Sequence, residues 1–144
     1  MEVSFYHLSS TPIEKAVPIL LEKAYEGGHR CMVLAKEQDI DAFDKTLWTF
    51  HPRKFLPHGT KNPEKQPIFI TSKNDNQNNA TVIAVVNAEV IDMNGFEKIL
   101  DIFDGNVEAD LSAARARWKS YKEQGANLRY WFQDEKGKWL EKQI

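Results

Sequence analysis

Two apolar runs, Arg30 through Ala35 and Ala80 through Val86, constrain the fold more than anything else in the chain. A strand wetted on one face alternates apolar and polar residues. A run without alternation is a strand covered on both faces, the signature of a parallel sheet between layers of helix. The remaining segments fit that scheme. Val3 through Leu8 reads as a first strand. Thr11-Pro12-Ile13-Glu14 has the form of a capping box with proline at the first helical position. Ile13, Val17, Leu20, Leu21 and Ala24 give that helix an apolar face, Gly27-Gly28 ends it, and Pro18 is expected to kink or loosen it. Asp39 can cap a second helix carrying Phe43, Leu47 and Trp48, followed by an irregular stretch bracketed by Pro52 and Pro57. Gln66 through Thr71 is a further strand. Lys73 through Asn79 is a polar loop expected to be mobile. Phe96 through Phe103 reads as a helical turn and then a strand from Ile99. Leu128 to Phe132 and Lys138 to Leu140 flank a turn and form a terminal hairpin. Strand and helix alternation predicts an α/β fold of three layers, α/β/α, with a mostly parallel sheet of about five strands plus that hairpin, in one domain over residues 1–144.

The chain of 144 residues is long enough for a real core, and its 42% hydrophobic and 28% charged content is that of a soluble globular protein. A formal net charge of -2 provides no global field for non-specific binding to nucleic acid. Cys31 is the single cysteine, which excludes an internal disulfide; lying in an apolar run, it reads as a buried, inert thiol. No apolar stretch is long enough to cross a membrane and the N-terminus lacks the pattern of an export signal, so a cytoplasmic location is expected.

Such folds often bind nucleotides, yet the chain has no G-x-G-x-x-G after its first strand, no phosphate loop and no G-x-S-x-G elbow. His7, His29, His51 and His58 form no close pair with metal-ligand spacing. Neither a catalytic set, a metal site nor a cofactor is expected. An enzyme or nucleotide-binding domain with an unrecognised site is the weaker alternative.

The segment ending at Gly125 carries the functional signal. Asn106 can cap it, Glu108 and Asp110 suit its first turn, and Gly125 suits its left-handed C-terminus. Val107, Leu111, Ala114, Trp118 and Tyr121 recur at helical spacing, with Val107, Leu111, Ala114 and Tyr121 expected in the core. Arg115, Lys119 and Lys122 run along the edge of that stripe. They read either as an ordinary solvated face or as a carboxylate clamp. An arginine fork suits a carboxylate, lysine adds point charge, and Trp118 offers a wall for an aromatic ring. Together they could hold the C-terminus of a peptide ending in a hydrophobic residue.

Over nearly its whole length the chain resembles the chi subunit family of bacterial DNA polymerase III. The residues that carry the resemblance are Phe5-Tyr6, Gly28-His29-Arg30, Leu47-Trp48, Phe55-Leu56-Pro57-His58, Ile102-Phe103-Asp104-Gly105, Ala114 through Lys119, Gly125 through Leu128, and Tyr130-Trp131. The resemblance implies a Rossmann-like fold without nucleotide chemistry and a non-catalytic accessory subunit of a DNA-directed DNA polymerase. It implies two partners: the acidic C-terminal tail of single-stranded DNA-binding protein (SSB), and the psi subunit of the clamp loader, with DNA met mainly through SSB. The matching tail-binding positions are Arg115 for the terminal carboxylate, Trp118 for the terminal phenylalanine, Lys119 for the tail's aspartates and Phe103 in the pocket. Leu111 stands where the family pattern has a lysine, a loss that Lys122 is expected to offset in part. The matching psi-binding positions are Trp48, Phe55 and Pro57.

Overall fold

The computed structural model describes residues 1–49, 56–93 and 95–142. Its strands are β1 (Glu2–Leu8), β2 (Cys31–Leu34), β3 (His58–Gly59), β4 (Ile68–Thr71), β5 (Val82–Val86), β6 (Lys98–Asp104), β7 (Asn127–Gln133) and β8 (Trp139–Lys142). Its α-helices are α1 (Ile13–Glu26), α2 (Ile40–Thr49) and α3 (Glu108–Glu123). The strands form one sheet in the order β3-β4-β2-β5-β6-β1-β7-β8, parallel throughout except for the β7–β8 hairpin. The mostly parallel α/β fold is the one expected. The strand beyond the expected set is β3, two residues at the sheet edge and too short to leave an apolar pattern.

Side chains alternate across the sheet and divide the core in two. Tyr6, Leu8, Val33, Ile70, Ala84 and Leu100 pack with Val17, Leu21, Phe43 and Leu47 from α1 and α2. Val3, Phe5, Met32, Ile83, Ile99 and Phe103 pack with Ala114 and Tyr121 from α3. The neighbours β1 and β6 therefore send their following helices to opposite faces. The order is not the 3-2-1-4-5-6 arrangement of dinucleotide-binding sheets.

Both longer helices close as their glycines predict. The amides of Gly28 and His29 reach back to Tyr25 and Ala24, and those of Gly125 and Ala126 to Lys122 and Tyr121. These are Schellman closures, with Gly28 and Gly125 at φ of 88° and 83°, where a Cβ would be strained. The helix starts differ from expectation. Pro12 and Val107 are the flanking residues, and neither start has a side-chain cap. Thr11 is drawn away because its hydroxyl accepts from Gln133 Nε2 at 2.8 Å. Asn106 is drawn away because its amide donates to the Ser9 carbonyl at 2.8 Å. Val107, expected in the core, is 43% exposed just outside the helix. α1 runs through Pro18 as one helix. The Asn-rich loop is tied down: Asn78 is buried and donates to the carbonyls of Cys31 and Gln66, and Asn76 exchanges two hydrogen bonds with Ala80. Cys31 is buried, and burial pushes its thiol pKa up to about 12, so it is inert.

One contact fixes how α3 lies on the sheet. Asp101, wholly buried in β6, accepts from Arg117 Nε at 2.7 Å and Nη2 at 2.9 Å. Burial raises the Asp101 pKa to about 6 against the pull of Arg117, which leaves the carboxylate ionised at neutral pH. Burial also opposes the Arg117 charge, but the hydrogen bond and charge of Asp101 outweigh it and hold the guanidinium proton more tightly than usual. One turn along, Tyr121 is buried and its hydroxyl accepts from the Val90 amide at 2.9 Å, fastening the loop before β6 to the same helix. Arg117→Met would strand a buried carboxylate and should lower unfolding stability by about 3–5 kcal/mol. Adding Asp101→Leu should restore most of that loss in urea titrations. A double variant as unstable as the single one would show that the ion pair is not what makes the site costly to disturb.

Candidate functional site

α3 packs on the sheet against β6 and β7, with Phe5 of β1 against Trp118 and Tyr121. The β7–β8 hairpin projects past it, so a hollow opens between the helix and the overhanging strands. Phe103, Leu111, Ala114, Arg115, Trp118, Tyr130 and Lys142 line a space of about 260 Å³. The four α3 residues stand at positions i, i+3, i+4 and i+7 and so share one side of the helix. Ala114 is the small residue that leaves room. Phe103 is fully buried and forms the floor. Trp118 is half-buried, held edge-on by Phe5 at 5.1 Å and Tyr130 at 5.8 Å between centroids. The volume lies below the ~300–1,000 Å³ of small-molecule clefts and suits one large side chain.

Of the residues expected at a tail-binding site, Arg115, Trp118 and Phe103 therefore meet at one hollow. Lys119 and Lys122 are exposed on α3 outside its lining. Tyr130 and Lys142 are lining residues that sequence reasoning missed. Register supplies them, since Tyr130 on β7 lies directly opposite Lys142 on β8. Arg115, Lys119, Lys122 and Lys142 form no ion pair among the described residues. The wall is thus mainly apolar, and the positive charge at its rim has no ion-pair partner among the described residues.

A second, more open hollow of about 430 Å³ adjoins the first and shares Leu111, Arg115, Tyr130 and Lys142 with it. Its further lining includes His7, whose Nδ1 is 2.7 Å from the Tyr130 hydroxyl. Burial, followed by Lys142, lowers the His7 pKa; Asp104 opposes them and Arg115 adds to them. The imidazole rests against Gly105, where a Cβ would come within 2.0 Å of the ring, so any side chain there would have to displace His7.

The crevice at the C-terminal ends of β1 and β6, where an open α/β sheet would ordinarily take a ligand, is committed within the chain. Gln133 Oε1 accepts from the amides of Ser9, Ser10 and Thr11 at 3.0, 3.2 and 3.3 Å. Those are the groups that could cradle a phosphate. Gly105 donates to the Leu8 carbonyl at 2.8 Å and closes the crevice further.

The expected psi-binding residues lie at the other end of the sheet. Trp48, near the end of α2, is 56% exposed, so it does not close the core. Its ring stands edge-on to His58 at 5.1 Å. His58 is held by the Leu56 carbonyl at 2.7 Å and the Asp44 carbonyl at 3.2 Å. Pro57 is half-buried beside them. Phe55 lies outside the described residues. Six strand spacings separate β3 from β7, roughly 29 Å.

Comparison with known proteins bears on what these features belong to. The family model of the DNA polymerase III chi subunit, HolC, matches residues 1–129. The "Probable DNA polymerase III subunit chi" of Rickettsia prowazekii (strain Madrid E) is 36% identical over 89 residues, 59% of this chain. The match spans 54% of that relative's length. With the family pattern running from the first residue through α3 into β7, the chain belongs to the DNA polymerase III chi subunit family.

Proposed function

We propose that this chain is a non-catalytic accessory subunit of the DNA polymerase III holoenzyme that joins the clamp loader to SSB during DNA replication. One observation carries the reading: a half-buried indole walls an open, single-residue hollow rimmed by cations that have no ion-pair partner among the described residues. In this reading the terminal phenylalanine of the SSB tail packs on Trp118 and Phe103. Arg115 takes the terminal carboxylate as a planar fork. Lys119, with Lys122 one turn on, attracts the upstream aspartates from outside the hollow. The Trp48 and Pro57 surface, with Phe55, engages psi. Distance favours an adaptor, since partners at opposite sheet edges do not compete for space. DNA is met through SSB, in keeping with a net charge of -2. The alternative of a nucleotide site meets the Gln133 side chain where the phosphate would be cradled.

An acidic peptide ending in phenylalanine should bind in the micromolar range, because the contact is small and charged. Arg115→Ala should cost about 1–3 kcal/mol in isothermal titration, and added salt should weaken the parent more than the variant. Parental affinity in the variant would remove Arg115 from the site. If the peptide does not bind while a nucleotide raises the melting temperature, the nucleotide reading prevails.

Binding should also depend on pH through His7, which faces Asp104 of β6, Tyr130 of β7, Arg115 of α3 and Lys142 of β8. Its folded pKa lies below the ordinary 6.5. The unliganded fold therefore has the full His7 contribution to stability above that value and loses it as pH falls through the folded pKa. An anionic tail alongside favours the imidazolium, so binding takes up protons. Affinity should then rise as pH drops from about 8 to about 6, and His7→Asn should flatten the profile. An unchanged profile in that variant would place the titrating group elsewhere.

A further inference from the structure

We propose that β8 is part of the binding site, with Lys142 reaching in from the terminal hairpin to pair with Arg115 around the terminal carboxylate of an acidic peptide. The proposal rests on the tail-binding reading above and adds a determinant from beyond the residues matched by the family model, which end at 129. Lys142 and Arg115 both line the apolar hollow and its open neighbour, so they stand where the two meet. They come from different elements, α3 and β8, and approach from opposite walls. The turn of α3 before Arg115 offers Leu111, which is apolar, so the second cation in the lining comes from β8 alone.

Lys142 is also held in place. Its Nζ lies 5.8 Å from the centroid of the Tyr130 ring opposite it in register. The hairpin is fastened on its other face. Glu141 takes a bidentate pair from Arg129 at 2.6 and 2.9 Å, and Trp139 stands edge-on to Tyr6 at 5.2 Å. Gln133 beside the hairpin's turn is locked to the β1–α1 loop and to the Gly137 carbonyl. A lysine on such a strand does not sweep freely through solvent, and it makes no ion pair among the described residues. Two cations from two walls suit a group with two equivalent anionic oxygens. The site should therefore read a free α-carboxylate as well as an apolar last residue.

The test uses fluorescence anisotropy with a labelled peptide of several aspartates ending in phenylalanine, as free acid and as C-terminal amide. Lys142→Ala should weaken the free acid about 3–10-fold, as befits an exposed charge pair, and leave the amide unchanged. Lys142→Arg should keep the parental preference, and Lys136→Ala in the hairpin turn should change nothing. Lys142 is exposed, so melting temperatures should match. Parental binding by Lys142→Ala, with Arg115→Ala impaired, overturns the role of β8 and leaves the tail reading standing. A parent protein that does not distinguish the acid from the amide overturns the two-cation site. A parent that binds neither peptide overturns the tail reading and this proposal with it.

Discussion

The carboxylate of Asp101, set in the middle of an apolar strand, decides where α3 can lie. A buried charge must be paired, and its only matched fork on the helix is Arg117, with two hydrogen bonds of 2.7 and 2.9 Å. Sliding or turning the helix would strand both groups. Apolar packing alone would position α3 less sharply, because only Ala114 and Tyr121 are fully buried apolar residues on it. Fixing Arg117 against β6 turns Arg115 outward, puts Trp118 at the helix flank and sets Ala114 over Phe103. The hollow is thus a consequence of an ion pair that does not touch it.

The sheet supplies the second constraint. An open sheet with helices on both faces has a natural crevice where adjacent strands send their helices to opposite sides. Here that crevice exists at β1 and β6, but a glutamine from β7 satisfies its amides and Asn106 bridges it. The open hollow lies to the side instead, between the helix and the hairpin. The same strand does both things. β7 ends in Gln133, which fills the old site, and carries at its middle Tyr130, which walls the new one. A layer architecture shared with nucleotide binders can in this way open a hollow elsewhere without any change in its layers.

Periodicity made most of the fold legible. Uninterrupted apolar runs marked β2 and β5 as central, and two glycines marked the helix ends. What escaped was decided by partners distant in sequence. Thr11 and Asn106 look like caps, but Gln133 and the Ser9 carbonyl claim them across more than ninety residues. Arg117 looks like a solvated charge; its signal was Asp101 breaking an apolar strand, which requires a partner. At the site, helical spacing brought out Arg115 and Trp118 because they share one element. Tyr130 and Lys142 reach it through strand pairing, which a linear pattern does not encode. Lys119 and Lys122 satisfy the spacing but sit too far round α3 to line the hollow.

The placement of charge also argues for how such a contact behaves in time. The hollow accepts little more than one side chain, and its cations stay in solvent, where each pair contributes modestly and salt screens it. Long-range attraction still raises the encounter rate, because it acts before contact is made. Fast arrival combined with small buried area gives a contact that forms readily and lets go readily. Under the proposed function that would suit a subunit following a moving partner better than a rigid interface would. The exposed ring of Trp48 is the kind of large aromatic residue that anchors longer-lived contacts. Under the proposed function the two edges of the sheet would divide the work, one for exchange and one for retention.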